Sequence, residues 1–549
     1  MTASANALQY FHDALENDAG RLQLFEFSEK HIHTKEGKVS FTEHPEQLQL
    51  YKDMSPRMVI LKGVQQGASL HEIARGFWVC DDRMATVMYL LPTRNFVNEF
   101  VADRVDTIIS SSPYLRDRMR DVDNRYVKKF GFSSLYFHGC ESDRDVVSVP
   151  VDFLICDEYD IMNQENVKVA EDRLEHSNLA WHHILSKPSV PGFGIDEKFK
   201  TSDQHYRLFR CPKCRHDTNI IFYMQSDFEA AVRCKEKKSG TVYYFACEKC
   251  GAALDPANAH WVALNPGSDI RGYHLSQAYW VRKPAHYSNV AEKFLKTYQG
   301  IKNIEDKKYL WRSLVGVAFG GDEQPLTDEI FNAQAQDIPL SPGWPGLCFA
   351  GIDNSDKKHV AIAHQEGFKL VFHWFEETDS IEEVFKFFKL HNIKKAIIDA
   401  MPNKDSAKKL AKRFKGRVLI QYFKDRQKES DELAGLETIP VYEVNRTDSL
   451  DDLIDAIKSG QVVIPSRKAG IVIDIVRKHL MKLIKEKETN AAGQEVKRYK
   501  GKVENHFAMA MNSAYQAWTL FQLNMPTVIS TTPVGGHISV EGSKYDTTN

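Results

Sequence analysis

The chain has 549 residues, nine cysteines and a formal net charge of −2. That length holds about three or four domains, or two large ones and a small module, and near-neutral charge leaves nucleic acid open because basic residues can gather on one face. The opening residues, MTASANALQYFHDALENDAG, have no hydrophobic leader and no apolar run is long enough to span a bilayer, which argues against a secreted disulfide scaffold and for a reducing cytoplasm.

MVIL (58–61) reads as a short apolar strand, KGVQQGAS (62–69) as a loop, and LHEIARGFWVC as a helix by its apolar spacing. Strand, glycine-containing loop and helix together cradle phosphates, because backbone N–H groups and a helix N-terminus face the anion. Against G-x-x-x-x-G-K-[ST] the match is partial: Gly67 and Ser69 fit, Ala68 stands where lysine belongs, and Lys62 stands where the first glycine belongs. Lys62 is long enough to bring an ammonium to the phosphates in place of the missing lysine, and Ser69 would hold Mg²⁺. MATVMYLLPT (84–93) reads as a further core strand. VDFLICDEYD (151–160) is an apolar strand ending in Asp157-Glu158, a Mg-ligating aspartate followed by a glutamate able to polarise water. Arg144, shortly before it, is a candidate finger for transition-state charge; the plain alternative is a surface arginine.

CPKC (211–214) and CEKC (247–250) form two C-x2-C pairs with 32 residues between them. Cys211, Cys214, Cys247 and Cys250 can close a tetrahedral zinc site, which has no open position and is therefore a staple rather than a reaction centre. Cys80, Cys140, Cys156 and Cys348 read as small apolar residues, and Cys234 has no partner at short spacing.

Apolar residues in GLCFAGIDNSDKKHVAIAHQ (346–365) run into Asp353, turn, and resume at HVAIAH, a hairpin with a carboxylate on its first strand. KKAIIDAMPN (394–403) repeats the device with Asp399. Two acids at strand ends can present two Mg²⁺ or Mn²⁺ ions for in-line phosphodiester hydrolysis, although each alone is an ordinary turn former. ENHFAMAMNSAYQAW (504–518) is helical in pattern and offers His506 as third ligand, with Glu504 behind it; a histidine capping a helix is the rival reading. KRFKGR (412–417), KDRQK (424–428) and RKHLMKLIKEK (477–487) make the last third locally basic, and residues 525–549 read as a mobile tail.

The order of these motifs resembles the large subunit of tailed-phage terminases, in its lambda-type branch, over roughly residues 45–520. That branch carries a deviant P-loop with lysine at its front, as in Lys62, Gly63, Gln65, Gly67, Ala68 and Ser69. It also carries the acidic pair, a coupling stretch like LSKPSVPGFGIDEKF (185–199), a C-x2-C pair on each side of a short insert, and a pattern like GYHLSQAYW (272–280). Segments like AGIDNSDKK, AIIDAMPN and VNRTDSLDDLIDAIKSGQVVIP (444–465) resemble its nuclease half. The resemblance implies an α/β chain: an N-terminal arm (1–45), an ASCE-type parallel-sheet ATPase (46–205), a zinc-binding insert (206–260), the ATPase remainder and linker (261–340), a ribonuclease-H-like nuclease (341–524) and the tail. It implies ATP, Mg²⁺ or Mn²⁺ and Zn²⁺ as cofactors, and packaging of double-stranded DNA from a homo-oligomeric ring on the portal protein. A small terminase subunit and the host cytoplasm complete the expected setting. The family's last nuclease helix supplies an aspartate where Asn505, His506 and Met509 stand here, so the third ligand stays open. A helicase-like or transposase-like enzyme, or a zinc-bearing scaffold with decayed sites, is the alternative.

Overall fold

The apolar run at 58–61 is the middle of strand β1 (Arg57–Lys62), buried at every residue after the first, as the centre of a parallel sheet requires. It belongs to a computed structural model that describes residues 22–42, 44–142, 149–238, 240–280, 284–423, 441–489, 495–499 and 504–523. Arg144, the KDRQK run and the expected tail lie outside the described residues. Contacts divide the chain into two units, Met1–Gly320 and Gly321–Asn549, so the division falls within the stretch 261–340 expected to hold the linker.

In the first unit β1 feeds α1 (Ala68–Asp82), followed by β2 (Val87–Leu91), β3 (Met119–Asp123), β4 (Val127–Phe130), β5 (Ser133–Gly139), β6 (Phe153–Asp157) and β7 (Trp181–Ser186). Then come β8 (His205–Arg210), β9 (Asp217–Thr218), the hairpin β10 (Val232–Lys237) and β11 (Gly240–Phe245), β12 (Ala259–Ala263) and β13 (Arg271–Leu275). The main sheet runs β9–β8–β13–β1–β7–β6–β2–β5–β4–β3, with β12 also on β8. From β8 to β5 the pairing is parallel, and the outer strands are antiparallel. One strand, β7, separates loop-bearing β1 from acidic β6. The cysteine region is no free-standing module, because β8, β9 and β12 extend the main sheet. Its Phe209, Phe245, Cys211 and Cys247 share one buried core with Val59 and Leu61.

The second unit contains β14 (Ala335–Gln336), β15 (Trp344–Asn354), β16 (Lys358–Glu366), β17 (Lys369–Thr378), α2 (Ile381–Leu390), β18 (His391–Asp399) and α3 (Lys404–Arg413). β19 (Val418–Phe423), β20 (Val441–Val444), α4 (Arg446–Lys458), β21 (Val462–Pro465), α5 (Ile471–Met481), the hairpin β22 (Lys485–Thr489) and β23 (Glu495–Tyr499), and α6 (His506–Gln522) complete it. Its main sheet runs β14–β21–β17–β16–β15–β18–β19–β20, with β22 and β23 paired apart from it. β15, β16 and β17 form an antiparallel meander, while β18, β19 and β20 add in parallel. Helix α6 crosses β15 at Gly351, where a Cβ would collide with the Ala510 carbonyl and the Ala514 amide, so only glycine permits that approach.

Candidate functional sites

The loop after β1 is shaped by two left-handed residues, Gln65 (φ 57°) and Gly67 (φ 74°), the latter capping α1. Such a turn aims successive N–H groups into a concavity, and the 15-residue helix adds its dipole. Gly63 and Val64 are pinned from behind. Their amides donate to Leu275 O (2.8 Å) and Ser313 O (2.8 Å), and Gln277 Nε2 donates to Val64 O (3.1 Å). Gln66 closes the loop: its Nε2 donates to Val64 O, and its Oε1 accepts from Trp280 Nε1 (3.1 Å). In front lies a cavity of about 690 Å³, within the range of small-molecule sites, lined by residues 62–69, Glu158, and the cations Lys35, Lys38, Arg104 and Lys187. Ser69 lines it; Ala68 begins α1 with its side chain buried and offers no charge.

Lys62 Nζ donates to Glu158 Oε1 (2.8 Å) and lies 3.4 Å from Asp157 Oδ1. Burial alone would lower its pKa, but the two carboxylates outweigh that and raise it, so the ammonium stays charged. Asp157 is 1 % exposed, accepts from Tyr89 Oη (2.8 Å) through Oδ2, and has no hydrogen bond to Oδ1. A buried carboxylate oxygen whose ammonium neighbour stands at 3.4 Å keeps lone pairs for a bound divalent cation. Glu158 itself adopts φ 65°, a conformation that costs a non-glycine residue free energy and recurs at functional sites. Sequence reading missed Asp160, two residues on, although it lies in the same DEYD string. Its carboxylate accepts from Ser189 N (2.7 Å), Ser189 Oγ (2.6 Å) and Ile195 N (2.6 Å), tying the 185–199 stretch to the acidic strand.

The four cysteines converge. Cys211 and Cys250 sulfurs are 3.7 Å apart, Cys214 and Cys247 3.6 Å, and all four lie within 4.8 Å of one another. A tetrahedral zinc with Zn–S bonds of about 2.3 Å sets its sulfurs about 3.8 Å apart, so the spacing fits the ion. Both pairs use the same turn: Arg215 N donates to Cys211 O (3.0 Å) and Gly251 N to Cys247 O (2.8 Å), with Arg215 and Gly251 both left-handed. Burial works against the Cys211 thiolate, yet amide hydrogen bonds from Cys214 and Lys213 bring its pKa below the usual thiol value.

In the second unit the register sets Ile352 beside Ile398, so Asp353 and Asp399 end adjacent parallel strands at the same sheet edge. His506, first residue of α6, places Nδ1 2.9 Å from Asp353 Oδ2, and Ser355 Oγ donates to the same oxygen (2.9 Å). His359, opposite Asp353 on β16, stacks on His506 with centroids 4.6 Å apart. Asp353, His359 and His506 bring ligand atoms within 4.8 Å of one another; Asp399 is at the same edge but outside that tight group. Burial and the neighbouring His506 lower the His359 pKa, keeping it in the neutral form that ligates metals. Glu504 instead pairs with Lys482 at 3.5 Å, and Asn505 is the buried residue preceding α6. His359 was missed because its role arises from cross-strand register, which a single sequence does not display.

Residues 34–268 match the family described as phage terminase large subunit gpA, ATPase domain. No curated protein sequence matches the chain. Among solved structures, the HK97 bacteriophage large terminase aligns at 11% identity and TM-score 0.45, over 90% of this chain and 99% of that one. The large terminase of a thermophilic bacteriophage, in complex with ATP-gamma-S, aligns at 10% identity and TM-score 0.29, over 86% and 97%. The large terminase nuclease from thermophilic phage G20c with bound magnesium aligns at 13% identity and TM-score 0.23, over 34% and 96%. Alignments at these scores leave function to the geometry and to the matched segment. Among the described residues no helix is long and apolar enough to cross a membrane.

Proposed function

We propose, from the match of residues 34–268 to the family described as phage terminase large subunit gpA, ATPase domain, that the whole chain is a packaging motor. Its first unit hydrolyses ATP to drive double-stranded DNA into a procapsid, and its second cuts concatemeric DNA. The observation that carries this reading is the meeting of Lys62, Asp157 and Glu158 at the mouth of a phosphate-shaped loop within the matched segment.

In the ATPase, the 63–69 backbone and the α1 N-terminus would cradle the phosphates, and Lys62 would turn from its carboxylates to the β/γ-phosphates. Asp157 and Ser69 would hold Mg²⁺, which when bound neutralises phosphate charge. Glu158 would orient and polarise the attacking water. Asp160, hydrogen-bonded to Ser186, Ser189 and Ile195, would pass a shift of the acidic strand into that stretch.

In the second unit, the antiparallel meander with three parallel strands added beside β15 supports a ribonuclease-H-like reading. Asp353, Asp399, His359 and His506 would hold Mg²⁺ or Mn²⁺, which supplies Lewis acidity and an activated water. Ser355 orients Asp353. Imidazoles suit transition ions better than Mg²⁺, so of the two ions this mixed donor set is the less suited to Mg²⁺. Cys211, Cys214, Cys247 and Cys250 would hold a structural Zn²⁺. The family suggests a homo-oligomeric ring on the portal protein, recruitment by a small terminase subunit, and work in the host cytoplasm. DNA contact would be chiefly to phosphates, hence salt-dependent.

The test is a paired assay of DNA-stimulated ATP turnover and plasmid cutting on purified protein. Lys62→Ala and Glu158→Gln should lose turnover and keep cutting, while Asp353→Ala and Asp399→Ala do the reverse. Equal loss of both activities in all four would overturn the two-site division.

A further inference from the structure

A second cluster of metal-binding side chains lies in the second unit, toward the opposite end of β15 from Asp353. Cys348, His373 and His391 bring ligand atoms within 4.8 Å of one another, and all three are at most 1 % exposed. Five residues of strand separate Cys348 from Asp353, about 16 Å at 3.3 Å per residue, so this is not the edge where the carboxylates meet.

Two irregularities in the sheet converge here. On β17, Phe372 pairs with Ala363 and Trp374 with Ile362, so His373 is the extra residue of a bulge. On the other side, the β15–β18 register slips at Cys348, which faces Ile393 while Phe349 faces Lys395. Bulges re-aim side chains and cost ladder hydrogen bonds, and two at one cluster call for a reason beyond packing.

The imidazoles form a chain. His364 Nδ1 and His373 Nδ1 are 3.0 Å apart, and His373 Nε2 and His391 Nδ1 are 3.1 Å apart. Trp344 stacks on His364 with centroids 3.8 Å apart and fixes that end. At the other end, His391 Nε2 is buried with no hydrogen-bond partner. An orphaned polar atom of this kind is costly, and a cation bound there would remove the cost by taking its lone pair.

We infer that Cys348, His373 and His391 form a second structural metal site for a borderline-soft divalent cation, zinc in the first instance, with His364 behind His373 as its orienting partner. One thiolate and two imidazoles are the donors such ions prefer over Mg²⁺ or Ca²⁺, and a histidine whose second nitrogen is held by a neighbour is the usual support of a ligating ring. The inference is independent of the nuclease reading, because none of its residues belongs to the Asp353 cluster.

The experiment loads the full-length protein with ¹¹³Cd²⁺ and records its NMR spectrum, whose shifts separate four-sulfur, one-sulfur and sulfur-free sites. The expected spectrum has a one-sulfur resonance that disappears in Cys348→Ser and in His391→Gln, while the four-sulfur resonance of the paired cysteines persists. Zinc-loaded wild type should hold one more zinc than either variant by elemental analysis. Where a variant fails to fold by circular dichroism, the wild-type spectrum decides. A spectrum with the four-sulfur resonance and no one-sulfur resonance would overturn the site, as would unchanged zinc content in folded Cys348→Ser.

Discussion

Lys62 stands at the front of its loop, where the common phosphate-binding pattern has glycine, yet its ammonium ends at the two acids of β6. Removing it leaves Asp157 buried without its cation and the cavity without the lysine facing Glu158. Lys62→Ala should therefore lower ATP turnover at least about 100-fold, the scale of losing one preorganised charge, with cutting unchanged. A pH effect belongs to this scale too. His274 is fully buried, and burial pushes its pKa from 6.5 to about 3 despite a hydrogen-bonding partner in Gly316 O. Between those values the unfolded chain binds the proton and the folded one does not, so stability is intact above pH 6.5 and is lost as pH falls toward about 3. Calorimetry should show the first unit's melting temperature falling through that window, with a shallower fall in His274→Gln.

Gly63 and Gly351 show how single positions set the placement of whole elements. A Cβ on Gly63 would sit 2.7 Å from Ser313 O and 3.2 Å from Leu314 O, both backbone atoms that cannot swing aside. Gly63→Ala should push the loop off the turn at Tyr309–Val315 and weaken nucleotide binding, as read by fluorescent-nucleotide titration. At Gly351 the obstacle is the backbone of α6, whose first residue is His506. Gly351→Ala should destabilise the second unit by at least about 2 kcal/mol in denaturant titration and impair cutting, because displacing α6 carries His506 from Asp353. Much of this scaffold was legible in the sequence: β1, α1, β6 and β15 announce themselves through apolar runs and periodicity, and their ends carry Lys62, Asp157 and Asp353. What was not legible came from register. His359 reaches Asp353, and His373 reaches Cys348, only because particular residues face each other across strands, and Asp160 matters only once the 185–199 stretch folds back on it.

At the scale of the whole molecule, the buried apolar clusters among the described residues each lie within one of the two units. A separately expressed 321–549 fragment should therefore melt cooperatively and retain metal-dependent cutting, as checked by calorimetry and plasmid nicking. The cysteine pairs are built onto the ATPase's own sheet through β8, β9 and β12, so their loss should not stay local. Cys211→Ser or Cys247→Ser should release one zinc and lower the melting temperature of the entire first unit, while leaving every phosphate-facing group in place. Unchanged zinc content in these variants would contradict the assignment. On the proposed reading, the ion pair of Lys62 with Glu158 has a last consequence. An incoming nucleotide would compete for a cation that Glu158 already neutralises, so its binding would be an exchange of counter-ions. Such an exchange would favour ligands rich in negative charge.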